Sequence, residues 1–78
     1  MPRLRQVSGK DIVSLLTKEG FRKIRQKGSH VRLALKANDT FYYITVPLHS
    51  EVDRGTLKSI IRSLERCLNS EKIKELFY

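Results

Sequence analysis

Apolar residues in this chain change their period twice. Between Ser8 and Gly20, Ile12, Val13, Leu15 and Leu16 fall on one face of a helix. After Gly28 the pattern alternates. Val31, Leu33 and Leu35 point to one side of an extended strand, and His30, Arg32, Ala34 and Lys36 point to the other. From Leu57 the helical spacing returns with Ile60, Ile61, Leu64 and Leu68.

Cap and turn residues set the boundaries. Ser8, with Asp11 three positions on, reads as an N-cap and a variant capping box. Gly20 suits the left-handed end of a helix, so the first helix is predicted over 9–19. Phe21–Gln26 is predicted as a strand and Lys27-Gly28 as a two-residue turn. His30–Lys36 forms the second strand, and Asn38-Asp39 marks the next turn. Phe41–Val46, aromatic and β-branched, is the third strand, with Pro47 ending its pairing. The second helix begins around Asp53–Thr56 and runs to about Cys67. Ser70 is placed to cap a short third helix containing Ile73 and Leu76. The expected fold is α+β, in the order α-β-β-β-α. It has a three-stranded antiparallel sheet with two helices on one face and a short C-terminal helix, all in one domain over 1–78.

The turns imply a register. Gln26 opposite Ser29 sets Arg25 against His30 and Lys23 against Arg32. Ala37 opposite Thr40 sets Arg32 against Thr45, Ala34 against Tyr43 and His30 against Pro47. One side of the sheet then carries Ile24, Val31, Leu33, Leu35, Tyr42, Ile44 and Val46, the expected core. The other carries Lys23, Arg25, His30, Arg32, Lys36, Phe41, Tyr43 and Thr45. Arg22 fits badly, because this register turns it inward; a later strand start or a bulge would relieve that.

Charge sharpens the picture. The 78 residues hold 16 Lys and Arg against 8 Asp and Glu, a formal net charge of +8. All the excess lies in residues 1–36, with ten basic and two acidic side chains; residues 37–78 balance at six of each. A segregated positive charge is the footprint of a nucleic-acid face, though a generally basic surface is the plainer reading. One cysteine, Cys67, precludes an internal disulfide and fits a cytoplasmic location. No apolar run reaches the length of a membrane span, and Met1 to Ser8 lacks the apolar stretch of a signal peptide.

Two histidines, one cysteine and scattered carboxylates give no zinc-ligand spacing, and there is no phosphate-binding glycine loop or dinucleotide fingerprint. No metal and no small-molecule cofactor is therefore expected. A histidine on a phosphate-binding surface is suited instead to metal-free RNA cleavage. That reaction needs a base for the 2′-hydroxyl, an acid for the departing 5′-oxygen, and cations for the extra negative charge. His30 is the candidate base, Lys27 and Arg32 the charge stabilisers, and His49 a candidate for the second proton transfer. Each has a simpler reading. His30 can be a polar surface residue, His49 a loop residue, and Phe41 and Tyr43 a cover for the sheet rather than a stack for bases. Gly55-Thr56 can offer amides to a phosphate or merely cap a helix. A non-catalytic RNA-binding module and a subunit that matches an acidic protein partner are the competing functions.

Five motifs in order resemble one family. They are Ser8-Gly9-Lys10, Gly20-Phe21, Gln26-Lys27-Gly28-Ser29-His30, Val46-Pro47-Leu48-His49, and Gly55-Thr56-Leu57 before Ile60-Ile61. The chain resembles the HicA toxins, or YcfA-like proteins, of toxin–antitoxin pairs, over residues 8–68. The resemblance implies a fold like the double-stranded RNA-binding domain and a metal-independent endoribonuclease that cuts messenger RNA. It also implies catalysis by the histidine of Gly-Ser-His, here His30, and neutralisation by a HicB-type antitoxin. RNA contacts are expected from Lys23, Arg25, Lys27, Gly28, Ser29, Arg32 and Tyr43, and the chain alone is expected to be a monomer.

Overall fold

The computed structural model describes residues 3–78; Met1 and Pro2, the start of the stretch read for a leader, lie outside the described residues. The chain runs α1 (Gly9–Lys18), β1 (Arg22–Lys27), β2 (His30–Ala37), β3 (Thr40–Pro47), α2 (Arg54–Leu64) and α3 (Ser70–Phe77). The strands form one antiparallel sheet in the order β1-β2-β3, so β2 is central and the sheet is open. This is the α-β-β-β-α arrangement with a third helix added. No helix among the described residues is long and apolar enough to cross a membrane.

Local chemistry explains the helix starts. The Asp11 amide donates to Ser8 Oγ at 3.0 Å, and the Ser8 amide donates back to the Asp11 carboxylate at 3.1 Å, a closed capping box. Asp53 caps α2 by accepting from the Thr56 amide at 2.7 Å. α3 departs from expectation: Asn69, not Ser70, is its N-cap, accepting from the Lys72 amide at 2.8 Å. Asn and Ser serve this role equally well, so adjacent candidates cannot be ordered by propensity. α2 also stops at Leu64 rather than near Cys67, with Glu65 as its C-cap.

Ile12, Leu16, Phe21, Val31, Leu33, Ile44, Val46, Leu57, Ile60 and Leu64 form the centre of the core, between the sheet and the helices. Both α1 and α2 lie against β3. Each such side chain contributes about 1.5–3 kcal/mol on leaving water. The short third helix belongs to this core: Ile73, Leu76 and the fully buried Phe77 all enter it. It is tied to the start of the chain, where the Arg5 amide donates to the Phe77 carbonyl at 2.8 Å. Lys72 adds an ion pair to Glu19 at the end of α1, 3.8 Å away.

The β2–β3 register is the expected one, with His30 opposite Pro47, Arg32 opposite Thr45, Ala34 opposite Tyr43 and Ala37 opposite Thr40. Asn38 and Asp39 both have positive φ, 52° and 64°, as a type I′ turn requires. The β1–β2 register is corrected. The turn is Gly28-Ser29, not Lys27-Gly28, and Lys27 rather than Arg25 stands opposite His30. Gly28 has φ 58° and Ser29 lacks a positive φ, the pattern of a type II′ turn with glycine first.

Arg25 pairs with Arg32, but Lys23 pairs with Leu33, so a bulge lies at Ile24. Ile24 is consequently about half exposed (52%) instead of joining the core. The bulge also exchanges its neighbours: Arg22, opposite Ala34, moves to the open face, and Lys23, opposite the buried Leu33, moves to the helix side.

Candidate nucleic-acid interface

The open face of the sheet is built by three strands from alternate positions. β2 supplies His30, Arg32, Ala34 and Lys36; β1 supplies Lys27, Arg25 and Arg22; β3 supplies Phe41, Tyr43 and Thr45. All but Ala34 are exposed. No helix covers them, because α1 and α2 occupy the other side. Five of the chain's lysine and arginine side chains therefore share one surface with His30, without an acidic neighbour in the three strands.

His30 is the first residue of β2, immediately after the turn. Its cross-strand neighbours are Lys27 on one side and Pro47 on the other, and Arg32 follows on the same face. The turn is braced from behind. Lys23 Nζ donates to Gln26 Oε1 at 2.8 Å, and Gln26 Nε2 donates to the Gly28 carbonyl at 3.2 Å. Just past the end of β3, the Leu48 amide donates to the Ser29 carbonyl at 2.6 Å. Lys23, expected on the open face, instead lines a shallow hollow with Lys10, Val13, Ser14, Gln26 and Leu48. Its link to Gln26 makes it a brace for the turn that carries His30.

Gly9 explains how the Pro47–His49 segment is held. The Gly9 amide donates to the His49 carbonyl at 2.9 Å. A Cβ on Gly9 would overlap the Pro47 carbonyl oxygen and stand 2.6 Å from Leu48 Cα. Only glycine lets α1 begin this close to the strand end. His49 is thus fixed at the His30 end of the sheet, but its charge acts on Asp53. The Thr56 hydrogen bond holds the Asp53 carboxyl below its usual range, and the His49 charge adds to this. Because Asp53 occupies the Thr56 amide, capping is the role this segment shows at the start of α2.

Further along the face, the rings of Phe41 and Tyr43 lie 6.3 Å apart and 19° from parallel. The Arg32 guanidinium sits 4.9 Å from the Tyr43 ring centre, and Lys36 Nζ lies 5.8 Å from that of Phe41. Phe41 and Lys36 share this face by alternation, outside the RNA contacts expected from the sequence, and Arg22, expected to turn inward, joins them through the bulge. The available signal for Arg22 was its own charge, which does not belong on a core side. Among the described residues, no group of three or more histidine, cysteine or carboxylate side chains comes together as a metal-binding cluster. Burial pushes the Cys67 thiol upward, away from the reactive thiolate.

The class defined by this fold is a small α+β domain that keeps one sheet face uncovered, cationic and aromatic, with a histidine at a braced hairpin. The family model described as "HicA toxin of bacterial toxin-antitoxin" matches residues 9–65. The chain belongs to the HicA toxin family, and such a family implies an antitoxin partner. No curated protein and no solved structure matches it.

Proposed function

We propose that this toxin is a metal-independent endoribonuclease that cuts messenger RNA in the cytoplasm, with His30 as its catalytic residue. The observation that supports it is the placement of His30: exposed on the open face, beside Lys27 and Arg32, at a turn held by three hydrogen bonds.

His30 removes the proton from a ribose 2′-hydroxyl. The freed oxygen attacks the adjacent phosphorus, and the bond to the 5′-oxygen breaks. That oxygen takes a proton, for which His49 is the candidate donor, leaving a 2′,3′-cyclic phosphate and a 5′-hydroxyl. A positioned histidine supplies about 10²–10⁴-fold of such a rate. Lys27 and Arg32 stabilise charge on the phosphorane as it forms. Arg25, Gly28, Ser29 and Tyr43 are the remaining contacts for the strand. A HicB-type antitoxin neutralises the toxin by covering the same face.

The test is incubation of the pure protein with RNA in EDTA, alongside His30→Ala. Cleavage by the natural chain and its loss in a folded His30→Ala protein are expected. Equal cleavage by both sinks the assignment of His30. Salt-sensitive binding with RNA left intact would instead mark a non-catalytic RNA-binding module.

A further inference from the structure

Beyond the hairpin that carries His30, the open face has a second built feature, the Phe41–Tyr43 pair. We propose that these two rings are a stacking platform for unpaired nucleobases, and that they make single-stranded rather than duplex RNA the ligand of this face. The proposal deepens the ribonuclease reading and rests on it only for the choice of RNA as the polymer.

Phe41 and Tyr43 are two residues apart on β3, so both stand on the same side of the sheet. Large aromatic side chains are normally withdrawn from water, yet these are 55% and 49% exposed. Ala34, directly opposite Tyr43 and on the same face, is only 8% exposed, so neighbouring side chains lie across it. The two rings, stacked 19° from parallel, together form an apolar strip on the open face.

Cations mark the strip's ligand as anionic. Arg32 and Lys36 stand at the two rings, and Arg22 and Arg25 face the same side from β1. A polymer with a charged backbone and flat apolar units satisfies both halves of this surface.

Access to a base face then selects the strand. In a duplex each base is covered on both faces by its neighbours, so a base reaches the ring of Phe41 or Tyr43 only by leaving that stack, which paired bases resist and an unpaired strand permits.

The experiment uses the natural chain and short, fluorescent, fully 2′-O-methylated oligonucleotides, which lack the hydroxyl that cleavage needs. Binding is read by anisotropy for a single strand, the same strand as a duplex, and a single strand with abasic positions but equal charge. The single strand should bind about tenfold or more tighter than either of the others. Phe41→Leu and Tyr43→Leu should each weaken it about tenfold, leaving the slope of affinity against salt unchanged, because no phosphate contact is removed. Equal binding of the abasic strand, or a preference for the duplex, overturns the proposal, and this arm needs no variant. If the two variants weaken the antitoxin but not the single strand, the platform belongs to a protein, and the proposal also fails. Failure here leaves cleavage by His30 standing; a chain that stacks bases but never cuts RNA does the reverse.

Discussion

Lys27 stands directly opposite His30 across the β1–β2 hairpin, separated only by Gly28 and Ser29. Cross-strand neighbours of this kind hold their Cβ atoms about 5 Å apart. A flexible ammonium beside an imidazole can follow a phosphate while the imidazole handles the proton. Lys27→Ala should therefore lower kcat/KM for RNA cleavage about tenfold; a buried, rigid donor would cost more. Lys74→Ala, on α3, serves as the control. An equal loss in both variants on a fluorogenic RNA would mean that Lys27 acts only through net charge.

Gln26 holds the same hairpin from the helix side, linking Lys23 to the Gly28 carbonyl. Exposed hydrogen bonds such as these are worth about 0.5–1.5 kcal/mol. Gln26→Ala should change thermal stability by no more than that, yet reduce kcat several-fold while leaving KM nearly constant. A change confined to KM would show that Gln26 contacts RNA instead of positioning the turn.

Gly9→Ala tests the close approach of α1 to the Pro47–His49 segment. The added carbon meets backbone atoms that cannot rotate away. A loss of about 1–3 kcal/mol is expected in chemical denaturation. Gly55→Ala is the matched comparison, since its nearest contact is the Asp53 carboxylate at an ordinary 3.5 Å. Equal stability of the two variants would contradict the crowding at Gly9.

Acid should loosen the helix starts. Asp11 and Asp53 both have carboxyl groups held below the ordinary 3.8, each chiefly by the hydrogen bond of its helix cap. A depressed pKa means that the folded chain binds its proton later than the unfolded one. The stability this gives is present above pH 3.8 and is lost as pH falls from there through the lower folded values. Asn caps helices as well as Asp but does not titrate. Melting temperature measured from pH 6 downward should thus fall less steeply for Asp53→Asn than for the natural chain, and identical curves would refute the link.

How much of this was readable in advance depended on which residues set the register. Asn38-Asp39 fits one turn type, so β2 and β3 were aligned correctly to the residue. Gly28 can occupy either position of a two-residue turn, and the first hairpin slid accordingly. That slip moved each pairing by two, an even number, so Arg25 and Lys27 kept the open face. The bulge at Ile24 shifts by one, and one residue is enough to exchange Arg22 with Lys23. The misfit of Arg22 announced a bulge, but nothing local chose its position. The reach of Gln26 to the turn and the crowding at Gly9 are contacts between segments, which periodicity does not encode.

β2 is the middle strand, hydrogen-bonded along both flanks, and His30 opens it. The peptide backbone that carries the imidazole is therefore anchored from two sides, and the ring meets solvent on a footing already set before any partner arrives.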